Sequence, residues 1–289
     1  MDAERRRRAG GGEAPPAAFE RCRSGDDRHG RAARRVPRPG RRALKNPMRW
    51  LDATRCLVIA HRGASAEAPE NTLAAFRLAM EQGADGIELD VRASSDGQIV
   101  VIHDASVERV TGAKGEVSSQ PLAALRRLDA GAGERIPTLA EVLHLARGRL
   151  LVDIELKVSG VEQQVLDLVR ASGVERDVLI TSFSEEAVSA ARRLAPQVAT
   201  GLLQQWPAPA RAAALGTPVY LPDISVLSED LMAACRQLGL RVIPWTIRRE
   251  EEAKTAIRLG VAGMIADDPR LARSALAQAE EEGTRWTNR

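Results

Sequence analysis

LVIAHRGASAEAPENTLAAFRLAMEQGADGIELDV, the stretch from Leu57 to Val91, holds a short apolar run, a segment with helical spacing and a second apolar run. Leu73, Phe76 and Met80 recur at three and four residues, which puts them on one face of a helix. Gly83 follows as the cap that ends it. The runs Leu57 to Ala60 and Gly86 to Val91 read as strands. Strand, helix and strand in 35 residues form a βαβ unit, whose crossover makes the two strands parallel.

The rhythm continues outward. Further strands are expected at Leu150 to Glu155, Val178 to Thr181, Val198 to Leu203, Pro218 to Leu221, Arg241 to Trp245 and Gly263 to Ala266, eight in all. An additional run, Gln98 to His103, follows Ser95-Asp96-Gly97, a hairpin signal that makes it a partner of the second strand. Helix ends are marked between the strands. Thr138 with Glu141 makes a capping box, Ser228 caps a helix that stops at Gly239, and Gly173 and Gly260 end two others. Eight such units over about 210 residues imply an α/β fold, a (β/α)8 TIM barrel with a small hairpin insertion after the second strand. The competing doubly wound open sheet usually carries a Gly-rich phosphate loop after its first strand, and none stands there.

Apolar residues make up 44% of the 289, but aromatics only 3%, so Ala, Leu, Val and Ile must fill the core. Residues 1–47 hold fourteen Arg or Lys against six Asp or Glu, while the remaining 242 residues hold 28 against 33. The basic balance therefore belongs to the leader, and the body is mildly acidic. No nucleic-acid partner is expected. The leader is rich in Arg, Gly, Pro and Ala without apolar periodicity, and is expected to be disordered, or to precede a true start at Met48. A functional basic arm is the other reading. The barrel domain is then 48–289. Arg5 to Arg8 are followed by no apolar segment, which argues against a signal peptide. Cys22, Cys56 and Cys235 are odd in number and lack CxxC spacing. A reducing, cytoplasmic setting is expected, without integral membrane association. Oligomeric state is left open.

Active sites of barrels lie at the C-terminal ends of the strands. Those ends hold His61-Arg62, Glu88 and Asp90, His103-Asp104, then Asp153, Glu155 and Lys157, and Trp245. Glu88 and Asp90 are two apart on one strand and so share a face, as do Glu155 and Lys157. Carboxylates gathered inside a barrel need a cation or protons to neutralise them. Three carboxylates without Cys suit a hard ion, Mg2+ or Ca2+. Each residue also has a plainer reading: strand-end charges paired with Arg or Lys, a structural His61, a Lys157 that only neutralises Glu155. Against these, two of the four histidines stand at strand ends beside carboxylates. His29 falls in the leader, and His144 follows Leu143 in a helix, where a half-buried structural role is expected. Two imidazoles can serve as general base and general acid, and Arg62 and Lys157 can hold an anionic oxygen. Together these groups describe a phosphodiester cleaver.

HRGASAEAPENTLAAF (His61 to Phe76) and GIELDVRASSDGQIVVIHD (Gly86 to Asp104) resemble the first two motifs of the glycerophosphodiester phosphodiesterase family. IPTLAEVL, DIELK, VIPWTI and GVAGMIADDP resemble the later ones, in order, over roughly residues 57 to 270. The resemblance implies a phospholipase C-like barrel, with Glu88, Asp90 and Glu155 binding one divalent cation. It implies His61 and His103 as the acid–base pair, Arg62 and Lys157 on phosphate, Glu70 and Asn71 as support, and Trp245 lining the pocket. The substrate would be a small glycerophosphodiester. Its glycerol 2-hydroxyl would attack phosphorus, and water would open the cyclic phosphate to give sn-glycerol 3-phosphate and an alcohol.

Two positions depart from the family's pattern. Arg248 stands where Asn is frequent, and Ala266 precedes Asp267 where Thr is frequent. These bear on headgroup preference rather than on the reaction. Two other functions remain open: a related barrel phosphodiesterase acting on lysophospholipids or sphingolipids, and an inactive barrel used as a binding module. The first would need an apolar mouth, and no apolar loop that would supply one is evident. The second would be expected to lose a histidine or a carboxylate of the set, and all are present.

Overall fold

In the computed structural model, residues 50–283 are described; the leader and its expected disorder lie outside them. The strands are β1 (Leu57–His61), β2 (Gly86–Ala93), β3 (Ile99–Val101), β4 (Leu151–Leu156), β5 (Val178–Ser182), β6 (Ala199–Gln204), β7 (Val219–Pro222), β8 (Arg241–Val242) and β9 (Gly263–Ala266). The helices are α1 (Leu73–Glu81), α2 (Glu108–Thr111), α3 (Leu122–Leu125), α4 (Leu139–Ala146), α5 (Glu162–Ser172), α6 (Glu185–Leu194), α7 (Pro209–Leu215), α8 (Glu229–Gln237), α9 (Glu250–Leu259) and α10 (Pro269–Glu281). Eight strands pair in parallel in the order β8-β7-β6-β5-β4-β2-β1-β9, and β3 pairs antiparallel to β2 as the expected hairpin. None of the described helices is long and apolar enough to cross a membrane.

The circle closes between β8 and β9. The Ala262 N–H donates to Val242 O at 2.8 Å, Ile265 N–H to Pro244 O at 3.0 Å and Ile247 N–H to Ile265 O at 2.8 Å. The expected strand Arg241 to Trp245 is regular only over its first two residues. Pro244 has no N–H for the ladder, and four residues of the β9 side, Ala262 to Ile265, span three of the β8 side, Val242 to Pro244. On its other side the segment is regular, with Ile243 and Trp245 donating to Tyr220 O and Pro222 O.

Alternation along each strand divides the core. Outward residues Ile87, Leu89 and Val91 of β2, with Ile154 and Leu156 of β4, pack with Phe76 and Ala79 of α1 and Leu139, Val142 and Leu143 of α4. Inward residues Leu57, Ile59, Leu151, Leu179, Leu203, Val219, Leu221, Ile243 and Ile265 fill the barrel, joined by the buried Trp50. Further along the same inward phase the residues become polar: His61 on β1, Glu88 and Asp90 on β2, Asp153 and Glu155 on β4, Thr181 on β5. The register sets them side by side, His61 opposite Glu88, Glu88 opposite Asp153, Asp90 opposite Glu155. The capping boxes and N-caps expected at Thr138 and Ser228 are formed. Between β3 and α4, the insertion builds a small cluster of its own from Val107, Val117, Leu125 and Ile136 against Val100 and Ile102.

Candidate active site

A cleft of about 230 Å³ opens at the C-terminal end of the strands, lined by His61, Arg62, Glu88, His103, Asp153, Glu155, Lys157, Thr181, Phe183, Leu203, Gln205, Trp245 and Ile265. The first wall is made where β1 ends. Arg62 (φ 55°) and Gly63 (φ 83°) take left-handed conformations that turn the chain back onto α1. A Cβ on Gly63 would lie 2.6 Å from Cβ of Ala75, so no other residue fits there. The turn aims the Arg62 N–H at Glu88 Oε2 (2.9 Å) and its Nη1 at Glu70 Oε1 (2.9 Å). Arg62 Nε lies 3.3 Å from Asp90 Oδ2.

Asn71, the expected supporting residue, brackets Asp90. Its Nδ2 donates to Asp90 Oδ2 at 2.8 Å, and its Oδ1 accepts from the Asp90 N–H at 3.3 Å. Glu88, Asp90 and Glu155 are all buried, and each offers an oxygen within 4.8 Å of the others. Lys157 Nζ donates to Glu155 Oε1 at 2.6 Å and lies 3.6 Å from Asp90 Oδ1, which accepts no hydrogen bond from the described residues. Burial, followed by repulsion from Asp90, Glu155 and Asp153, pushes the Glu88 carboxyl well above the usual range. Burial and Asp90 push Glu155 up to about 7. Arg62 and Lys157 are too few to neutralise this group, which is the condition under which a dication binds. An all-oxygen, buried donor set of this kind could hold a hard divalent ion.

Asp153 belongs to the same wall, although the sequence assigned it no role. Thr181 donates its hydroxyl to Asp153 Oδ1 at 2.7 Å, Oδ2 has no hydrogen-bond partner among the described residues, and burial raises the carboxyl to about 8. The signal was available: Asp153 precedes Glu155 by two and shares its face.

Both histidines are held at Nδ1 by a carboxylate. His61 Nδ1 is 2.6 Å from Asp267 Oδ1, and His103 Nδ1 is 2.6 Å from Asp104 Oδ1. Each carboxylate is braced in turn by arginine, Asp267 by Arg248 Nε (3.1 Å) and Asp104 by Arg109 Nε (2.5 Å). Hydrogen bonds from Arg109 and His103 bring Asp104 down to about 2. Burial lowers the His103 imidazole below its usual value, which favours its neutral, proton-accepting form. Asp267 falls two residues after Ile265, in the inward phase of β9, so the alternation could have found it. Of the two positions that depart from the family pattern, Arg248 grips Asp267, the residue that follows the other, Ala266. His144, expected half-buried, is exposed on α4.

Aromatic side chains form the far wall. Trp245 meets Phe183 edge to face with ring centroids 5.4 Å apart, and its Nε1 donates to Leu221 O at 2.9 Å. Lys157 Nζ stands 5.9 Å from the centre of the Phe183 ring. Phe183 is 40% exposed after β5, and Trp206 is 73% exposed after β6. The expected lack of an apolar loop at this end is therefore corrected. Single aromatics in loops leave no periodic trace.

Residues 61–271 match the Glycerophosphoryl diester phosphodiesterase family. The chain belongs to the glycerophosphoryl diester phosphodiesterase family. It is 41% identical over 233 residues to a glycerophosphodiester phosphodiesterase of Caldanaerobacter subterraneus subsp. tengcongensis, covering 74% of this chain and 94% of that one. The crystal structure of a glycerophosphoryl diester phosphodiesterase homologue from Silicibacter pomeroyi superposes with a TM-score of 0.74 at 26% identity, over 80% of this chain and 95% of the other. An Oleispira antarctica phosphodiesterase, solved in complex with the product sn-glycerol-3-phosphate, superposes with a TM-score of 0.71 at 30% identity, over 76% and 96%. The fold and the enzyme class expected from the motifs are those of the glycerophosphodiester phosphodiesterases.

Proposed function

We propose that the chain hydrolyses glycerophosphodiesters to sn-glycerol 3-phosphate and an alcohol, with His61 and His103 as the acid–base pair. The observation that carries this reading is one cleft shared by two imidazoles, each braced at Nδ1, and by Glu88 and Glu155 of the buried carboxylate trio. The sn-glycerol-3-phosphate held by the Oleispira antarctica phosphodiesterase supports the product. Glu88, Asp90 and Glu155 would hold one divalent cation, Mg2+ or Ca2+, consistent with the orphaned Asp90 Oδ1 and the crowding of negative charge. When bound, such an ion supplies Lewis-acid polarisation of a phosphoryl oxygen.

The chain's own groups do the rest. Arg62 and Lys157 hold the anionic phosphate oxygens, and Trp245 with Phe183 gives the glycerol an apolar wall. With each Nδ1–H donated to its carboxylate, each Nε2 is free for proton work. One imidazole takes the proton of the glycerol 2-hydroxyl as that oxygen bonds to phosphorus. The other gives a proton to the departing alcohol oxygen as its bond to phosphorus breaks. The pair then exchanges roles: water is deprotonated as it bonds to phosphorus, and the 2-oxygen leaves with a proton. The buried, unpaired thiols of Cys56 and Cys235 support the cytoplasmic reading. A second substrate class, lysophospholipids or sphingolipids, is favoured only by exposed Trp206 and Phe183 at this end.

Phosphorus NMR of glycerophosphocholine turnover tests the proposal. Accumulation of sn-glycerol 3-phosphate with free choline is expected. Phosphocholine with free glycerol would place the cleavage on the wrong bond.

A further inference from the structure

The reaction proposed above does not use Arg109, a residue of the short helix α2 in the insertion. Its guanidinium grips Glu70 with two nitrogens, Nη1 to Oε2 at 2.8 Å and Nη2 to Oε1 at 2.7 Å. Its third nitrogen, Nε, donates to Asp104 Oδ2 at 2.5 Å. Glu70 is also the acceptor of Arg62 Nη1, and Asp104 is also the partner of His103 Nδ1. We infer that Arg109 is a positioning residue that locks Arg62 and His103 into one geometry through Glu70 and Asp104.

The chemistry of the link favours this role over simple anchoring. No residue of α2 is fully buried; Val110 packs against the insertion's own cluster, whereas Arg109 is exposed and adds nothing to it. Three donors in a fixed plane meet two carboxylates from different loops, one after β1 and one after β3. A guanidinium can span them, whereas an ammonium has neither the reach nor the fork. Without the fork, Glu70 and Asp104 are two like charges with nothing between them. Each would be free to swing away from the side chain it holds. Arg62 meets the phosphate and His103 moves a proton, so loosening both should harm binding and turnover together. Placement errors of about an ångström cost on the order of 10²-fold in rate.

The inference rests on the acid–base and phosphate roles proposed for His103 and Arg62. The test is steady-state release of sn-glycerol 3-phosphate by the full chain, for wild type, Arg109→Ala, Arg109→Lys and His103→Ala, with thermal melts of each. For Arg109→Ala, kcat should fall by about 10²-fold and KM should rise, while the melting temperature stays near wild type. Arg109→Lys should not restore it, and added guanidinium ion should restore part of the loss. Adding Asp104→Asn to Arg109→Ala should lower kcat little further. Unchanged kcat and KM in Arg109→Ala beside an inactive His103→Ala would overturn this inference alone. So would a loss that follows the unfolded fraction, or full recovery by Lys. An active His103→Ala would instead remove the reading beneath it.

Discussion

His61 and Asp267, 206 residues apart in the chain, meet at 2.6 Å between Nδ1 and Oδ1. The contact joins the end of β1 to the residue following β9, the two strands that β1–β9 pairing brings together. It fixes which nitrogen of His61 faces the cleft. Asp267→Asn should therefore lower kcat by roughly 10–100-fold, the usual cost of losing an orienting partner, with KM and melting temperature little changed. Steady-state kinetics decide this, and an unchanged kcat would show that Asp267 does not orient the imidazole.

The two histidines should behave as a unit. His61→Ala and His103→Ala should each lower turnover by roughly 10²–10⁴-fold. The double variant should cost less than the two free energies combined, because both act on one step. Additive losses in folded proteins would separate their roles.

The acidic cluster should leave a mark on stability when divalent ions are chelated. Asp153 at about 8, Glu155 at about 7 and Glu88, also raised, all exceed their unfolded values of about 4. Such groups bind more protons folded than unfolded, so their contribution is full below about pH 4 and is lost as pH rises toward 8. His103, lowered by burial, offsets part of this just below about pH 6.5, so the carboxyl effect is read most cleanly above that. Thermal melts of the chelated protein should fall between about pH 6.5 and 8, and Mg2+ or Ca2+ should raise them most at the alkaline end. A melting temperature that climbs over this window would contradict the charge crowding.

Trp50 marks where described packing begins. Its ring is buried among inward residues of the barrel, and its Nε1 donates to Asp177 O at 3.0 Å. Trp50→Ala should cost about 3–5 kcal/mol in denaturant unfolding. A chain starting at Met48 should fold and turn over like the full chain. Lost turnover in that shorter chain would give the basic leader a role.

The barrel was legible because its determinants are local and periodic. β-Branched and apolar runs, helical spacing and caps such as Thr138 and Ser228 each act within a few residues. Seven of the parallel strands lie within a residue or two of their expected places, and β8 is cut short by Pro244, whose missing N–H is itself a sequence feature. Glu88, Asp90, Glu155 and Lys157 were readable from alternation. Asp267 and Asp153 obey the same alternation but lacked a visible partner, since pairing across strands depends on register. Arg109, Phe183 and Trp206 stand in a short insertion helix and in loops, where no period reports direction.

The measurement that tests the account most directly is a coupled assay for sn-glycerol 3-phosphate release from a panel of glycerophosphodiesters. It would be run on the same protein before chelation, after exhaustive EDTA treatment and after return of Mg2+ or Ca2+. Turnover should vanish on chelation and return with one of these ions, and a folded Asp90→Asn variant should show no such ion-restored turnover. Turnover that survives exhaustive chelation would contradict Glu88, Asp90 and Glu155 as the ligands of a required cation.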